Sequence, residues 1–279
     1  MEFRINPTAG LANRLRALGC AIWIADLMDR DIVLSWLKYP GMAADFSDLF
    51  KDQFDCSPRD GWKTYGAGNK VQRDLYLDLE SEKEIEISTC GVFSYKGGPT
   101  VWSSEMWTEV HPYIRSLSPV DEIQDVVSEF SDKHNISDMV GVHIRRTDNL
   151  KSKKYSKLSH FYKEMDKTDK PFFLCSDCEK TKKEVSEKYK DRCIDFKHPY
   201  KNCPNVRTTI RGVKRALCEL LLLGQTIKII GSTFSSFGTM ASVIGGAPIK
   251  RVGDKTVSSQ KIFVDEEYKI WDGSAEKVR

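Results

Sequence analysis

Val140-Gly-Val-His-Ile-Arg-Arg-Thr-Asp-Asn-Leu150 runs from an apolar stretch straight into a charged one. Val140, Val142 and Ile144 read as a buried strand, and His143, Arg145 and Arg146 crowd its far end. In open α/β sheets, ligands bind at strand ends of this kind. Arginine keeps its charge and offers a planar fork that pairs bidentately with phosphate. Two of them can neutralise most of a diphosphate. The competing reading is structural, with Arg146 paired to Asp148 or either arginine paired to another nearby carboxylate.

The sequence on both sides of this stretch sets the fold. After Pro119 it predicts a helix over 120–133, the strand 139–144, a helix near 158–167 and a strand over 171–175. A charged helix over 179–190, a strand over 193–196 and a long helix over 206–223 follow. A strand over 227–230, a helix over 235–244 and a short strand over 249–252 complete the series. Strand and helix alternate throughout, which argues for a parallel sheet with helices on both faces. Lys151 to Lys157 reads as a solvated loop. The chain opens on a βαβ unit: a short strand, a helix from about Ala12 to Met28 and a strand over 31–36. Between 37 and 110 the pattern is irregular. It holds turn clusters at 57–61, 66–68 and 97–99, and one clear strand at 84–88. Trp62, Tyr65, Tyr95, Trp102 and Trp107 are concentrated there, suited to stacking on sugar rings or, with more weight, to packing a core. The expectation is an α/β chain with two Rossmann-like domains facing a cleft. Residues 1–120 form the first, with 40–110 irregular, 121–252 form the second, and 253–279 form a terminal segment. One domain with a long insertion at 40–110 is the alternative.

Composition narrows the function classes. The 279 residues carry a formal net charge of +3, too little for general nucleic-acid binding. The most apolar run, Ala216 to Leu223, is interrupted by Glu219 and is too short to span a bilayer. No apolar leader is read at the start, so a cytoplasmic location is expected, and the sequon Asn135-Ile-Ser137 is expected to be unused. The eight cysteines are scattered and read mostly as reduced thiols. Cys175-Ser-Asp-Cys178 lacks a second ligand pair for zinc and reads as two unrelated thiols in a turn. Asp29-Arg-Asp31 has a metal-binding form, but it lies between a helix and a strand and reads as turn residues.

Three further constellations lie at strand ends. Gly231-Ser-Thr-Phe-Ser-Ser-Phe-Gly238 opens a helix, and its Ser232, Thr233, Ser235 and Ser236 are more hydroxyls than one cap requires. Free N–H groups and the helix dipole make such a turn an anion site. It lacks the lysine of a P-loop. Asp177 follows the strand over 171–175, where it could take hydrogen bonds from a ribose or a base, or cap the next helix. Gly10-Leu-Ala-Asn-Arg-Leu-Arg16 opens the first helix, and basic residues there oppose the dipole unless an anion is bound.

Together these motifs resemble the α1,2/α1,6/protein O-fucosyltransferase superfamily, nearest its bacterial nodulation-factor fucosyltransferase branch. His143-x-Arg145-Arg146-x-Asp148 resembles its H-x-R-R-x-D motif, and Gly10-Leu-Ala-Asn-Arg14 its N-terminal segment. Phe172 to Asp177 and Ile230 to Ala241 are similar to its second and third motifs, in the same order. The resemblance covers about 10–245 and leaves 50–110 largely unmatched. It implies a GT-B glycosyltransferase, inverting and without an essential metal. The donor would be a nucleotide sugar, GDP-fucose in most of the family, and the acceptor a glycan hydroxyl. Carried across, Arg145 would stabilise the leaving diphosphate with Arg146 in support. His143 would contact diphosphate or ribose, and Asp177 would lie near the nucleoside. Ser232, Thr233, Ser235 and Ser236 would hold phosphate. Gly10, Asn13 and Arg14 would approach it from the N-terminal, acceptor-side domain. No residue declares itself as the general base, and Asp45, Asp48 and Glu105 are loose candidates. The same scaffold could take another donor such as UDP-xylose. A binding module without catalysis, or a magnesium-dependent phosphoryl-handling enzyme, are the readings from other classes.

Overall fold

Phe3 and Ile5 are fully buried, and they set the first strand at the centre of a sheet. The computed structural model describes residues 2–56, 63–66, 84–89, 104–197 and 207–253. The chain divides into two compact units: Met1–Val120 with Val206–Lys214, and Asp121–Asn205 with Arg215–Arg279.

In the first unit, β1 (Glu2–Pro7) leads to α1 (Leu11–Leu27) and β2 (Asp31–Leu34), followed by β3 (Lys63–Gly66), β4 (Glu84–Thr89) and α2 (Ser104–Arg115). The strands lie in the order β2-β1-β4-β3, and every pairing is parallel. Leu15, Leu18, Ala21, Ile24 and Ala25 give α1 its buried face. Gly19 lets α2 approach, because a Cβ there would meet Ile114 Cγ1 at 2.2 Å. The sequence pattern foresees one strand between 37 and 110, and the structure adds β3 and α2. Pro112 lies inside α2 and breaks its helical signal, yet Trp107, Val110 and Ile114 are buried. Trp107 therefore packs in the core. Trp62, Tyr95, Trp102 and the turn clusters at 57–61 and 97–99 lie outside the described residues.

The second unit runs α3 (Asp121–His134), β5 (Val140–Ile144), α4 (Leu150–Tyr155), α5 (Leu158–Met165), β6 (Phe172–Ser176), α6 (Glu179–Tyr189) and β7 (Cys193–Asp195). It continues with α7 (Ile210–Gly224), which begins in the first unit, then β8 (Lys228–Ser232), α8 (Ser236–Gly245) and β9 (Ile249–Val252). The described strands pair in parallel in the order β7-β6-β5-β8-β9. Every residue of β5 and β6 is buried, as a central parallel strand requires. Val140, Val142 and Ile144 pack with Phe161 and Met165 of α5 and with Val185 and Tyr189 of α6. Each such side chain contributes roughly 1.5–3 kcal/mol of burial. The expected loop at 151–157 is mostly α4, a short helix between its N-cap Asn149 and its C-cap Ser156. Among the described residues, no helix is long and apolar enough to cross a membrane.

Candidate active site

The second sheet reverses direction at its centre. From β5 the chain steps outward to β6 and β7, then returns to β8 on the other side of β5 and steps to β9. Such a switch point opens a crevice beyond the carboxyl ends of the two strands that flank it. Here those strands are β5 and β8, with His143 beside Gly231 in register. The two stretches singled out by sequence, 143–148 and 231–236, therefore lie side by side.

Arg145 continues β5 with its N–H donating to Ser232 Oγ at 2.9 Å. Its guanidinium pairs with Asp177 at 2.9 Å and also with Asp148. Arg146 turns inward, and its Nη2 donates to the Ser156 carbonyl at 2.6 Å. Asp177 accepts from the Arg146 N–H at 2.7 Å, the Thr147 N–H at 3.3 Å and the Thr147 hydroxyl at 2.5 Å. Burial opposes the charge on Asp177, but Arg145, the Thr147 hydroxyl and the Arg146 N–H hold its carboxyl below the usual range. The N-cap of α6 is Cys178, and Asp177 beside it serves the 145–147 turn. The structural reading of the pair is met by Arg145, which is ion-paired to Asp177 and Asp148 at the carboxyl end of β5.

His143 is buried at 5% exposure, and its ring stacks on Phe237 with centroids 4.9 Å apart. Burial, with a smaller push from Arg145 against a pull from Asp177, lowers its pKa to about 4. The imidazole is therefore neutral near pH 7. Its Nδ1 has no hydrogen-bond partner among the described residues. It faces the first turn of α8, where a Cβ on Gly238 would lie 3.7 Å from it. Two arginines thus face two carboxylates beside a neutral imidazole, and the cluster carries no net charge by this count. Added attraction for an anion comes from the α8 N-terminus. Lys151, Lys153, Lys154 and Lys157 lie exposed on and beside α4.

The turn before α8 is only partly available to a ligand. Ser232 and Thr233 are buried, so the expectation that their side chains hold phosphate gives way to a structural use. Ser232 Oγ serves Arg145, the Thr233 N–H donates to Ser156 Oγ at 2.9 Å, and Thr233 Oγ1 donates to the Val252 carbonyl at 2.9 Å. Phe234 has φ 61, a left-handed conformation that costs a bulky residue about 1–3 kcal/mol. Ser235 is the N-cap of α8, and its side chain makes no capping hydrogen bond. Ser235 and Ser236 are half-buried, and α8 has no acidic residue in its first turn. The sequence reading misses Thr147, Asn149, Ser156 and Phe237. Hydroxyls and amides recurring beside a charged motif were the available signal.

In the first unit, Gly10 is the N-cap of α1, and a Cβ there would meet nothing within 4 Å. Arg14 does not project toward a ligand as expected. It is 1% exposed, donates to the Ala9 carbonyl at 3.1 Å and the Leu37 carbonyl at 2.6 Å, and stacks over Trp36 at 4.7 Å. Aromatic faces and carbonyls together make burial of the cation tolerable. Asn13 is half-buried and accepts from Arg16 Nη2 at 3.1 Å. Of the base candidates, Asp45 pairs with Lys38 at 2.7 Å, and Asp48 accepts the Asp45 N–H at 2.8 Å. Glu105 falls in α2. Among the described residues no group of three or more His, Cys, Asp or Glu could hold a metal ion, and Cys175 and Cys178 are free thiols.

No protein-family model matches the chain, and no curated protein matches it by sequence. Solved structures do match. The fucosyltransferase NodZ from Bradyrhizobium aligns over 89% of this chain and 95% of its own, with a TM-score of 0.62 at 18% identity. NodZ, an alpha-1,6-fucosyltransferase, has been co-crystallised with GDP and soaked with GDP-fucose. A mutant of FUT1 of Arabidopsis thaliana in complex with GDP aligns over 89% of this chain and 69% of its own, with a TM-score of 0.60 at 15% identity. POFUT1 in complex with GDP aligns over 91% of this chain and 99% of its own, with a TM-score of 0.55 at 12% identity.

Proposed function

We propose that this chain, which has the GT-B fold of these fucosyltransferases, is a member of their superfamily and transfers fucose from GDP-fucose to a glycan hydroxyl with inversion. One observation carries the reading. His143-x-Arg145-Arg146-x-Asp148 stands at the end of β5, beside the uncapped N-terminus of α8, across the switch point of the sheet. Three relatives in fold, NodZ, FUT1 and POFUT1, bear GDP in solved structures.

In the proposed reaction the acceptor oxygen bonds to the anomeric carbon as the bond from that carbon to the β-phosphate oxygen breaks. The electron pair leaves on GDP, and the acceptor proton passes to a general base. Arg145 answers the charge developing on the leaving phosphate, which is the largest contribution such sites make. Asp177 and Asp148 hold its fork in place, so little reorganisation accompanies the step. Backbone N–H groups at Ser235 and Ser236 receive phosphate oxygens, and neutral His143 offers a hydrogen bond without adding charge. Within the first unit, Gly10 and Asn13 at the α1 N-terminus are the residues proposed to bind substrate. Arginine and N–H donors supply the neutralisation in this scheme, so transfer is proposed to proceed without a dissociable metal.

Thermal-shift measurements with GDP, UDP and their sugars, followed by transfer assays, test the reading. GDP and GDP-fucose are expected to raise Tm in proportion to the logarithm of their excess over Kd. Stabilisation by UDP alone would move the assignment to a UDP-sugar donor, and binding without turnover on any glycan would leave a binding module.

A further inference from the structure

Phe234, at the tip of the turn that opens α8, has φ 61, and a strained turn persists only where its surroundings over-determine it. Those surroundings come largely from one short segment. Asn149 Nδ2 donates to the Phe234 carbonyl at 2.7 Å. The Thr233 N–H donates to Ser156 Oγ at 2.9 Å, and the same hydroxyl donates to the Val252 carbonyl at 2.7 Å. The Tyr155 ring packs on the Phe234 ring with centroids 5.7 Å apart. The Ser156 carbonyl takes Arg146 Nη2 at 2.6 Å, so one residue ties the arginine loop and the α8 turn together. Asn149 and Ser156 flank the two ends of α4, and Asn149 Oδ1 also caps that helix by accepting the Ser152 N–H at 3.0 Å.

We propose that α4, with Asn149 and Ser156 at its ends, is a strap that positions the phosphate-binding turn 233–236 against the Arg145-Arg146 loop. Asn149 and Ser156 are positioning residues that need not touch the substrate. The proposal rests on the nucleotide-sugar reading of the site, but its structural half does not. The motif residues alone do not account for the turn: Ser232 serves Arg145, and Asp177 serves residues 145–147. The contacts on Thr233 and Phe234 come from Asn149, Tyr155, Ser156 and β9. Rigid donors that need no rearrangement on binding lower the free-energy cost of association. A strap of this kind converts loose N–H groups into a preorganised anion site.

The two ends of the Asn149 amide do different work, which makes the test selective. Asn149→Asp keeps the oxygen that caps α4 and removes the donor to Phe234. Asn149→Ser keeps a capping oxygen without adding charge, and its shorter side chain lacks the amide N–H that reaches the Phe234 carbonyl. Two readouts are taken on both variants. The first is amide hydrogen exchange across 233–238, which needs no ligand. Exchange there should quicken while β5 and β6 stay protected as in the wild type. The second is GDP affinity with steady-state kinetics on GDP-fucose. Loss of a hydrogen bond that holds ground and transition states alike should raise Kd and donor KM by about tenfold with kcat changed less than about threefold. Unaltered exchange in the turn overturns the strap. Faster exchange with GDP affinity unchanged in both variants overturns its positioning role. If the wild type itself binds no GDP, the nucleotide-sugar reading fails, and the strap is then judged on exchange alone.

Discussion

Asp177 receives donors from Arg145, from the N–H groups of Arg146 and Thr147, and from the Thr147 hydroxyl. Its carboxylate is what makes Arg145 a fixed cation instead of a mobile one. His143 beside it carries a different consequence. Its pKa in the folded chain is lowered to about 4 by burial first, while an unfolded histidine titrates near 6.5. The folded state therefore binds fewer protons than the unfolded state between those values. Stability from this residue is present above about pH 6.5 and is lost as pH falls toward about 4, by a few kcal/mol at most. Denaturant unfolding from pH 7 to pH 4 should show this slope, and His143→Gln should flatten it. An equal slope in the variant would place the proton uptake elsewhere. The arginine motif was legible from sequence, because residue type and strand-end position sufficed. The inward turn of Arg14 was not, because the carbonyls of Ala9 and Leu37 and the ring of Trp36 converge on it only in three dimensions.

Elements with an apolar period were read well, and those without one were not. Apart from α4, the described strands and helices from 121 to 252 follow the alternation of the sequence to within a few residues. α4 escaped because its inward side is polar: Ser152 and the flanking Ser156 are fully buried, and Leu150 is 76% exposed. α2 escaped because Pro112 interrupts it. Its packing on α1 gives a direct test. Gly19→Ala should be destabilising by about 1–3 kcal/mol through overpacking against Ile114, which outweighs the roughly 1 kcal/mol alanine gains in helix propensity. Adding Ile114→Ala to Gly19→Ala should cost less than Ile114→Ala costs the wild type. Urea midpoints of the four chains in this cycle measure the coupling, and additive effects would contradict the close approach.

Across the whole molecule, two parallel α/β sheets came from strand–helix alternation, and the candidate site came from the rule that ligands lie at strand ends. The strand order itself, β7-β6-β5-β8-β9, was not legible, because pairing among buried apolar strands leaves no mark on their period. At this scale the account also makes a prediction about metals. If arginine and N–H donors carry the leaving-group charge, fucose transfer should be unchanged by excess EDTA, and loss of turnover that magnesium restores would contradict the scheme. The central claim is that the crevice at β5 and β8 binds GDP through Arg145. Calorimetric titration of GDP into the wild type and into Arg145→Ala, with circular dichroism confirming the fold of both, tests it most directly. The account predicts saturable one-to-one binding to the wild type and at least a tenfold weaker Kd in the variant, about 1.4 kcal/mol or more. Equal affinity in the two chains, or no GDP binding by the wild type, would contradict it.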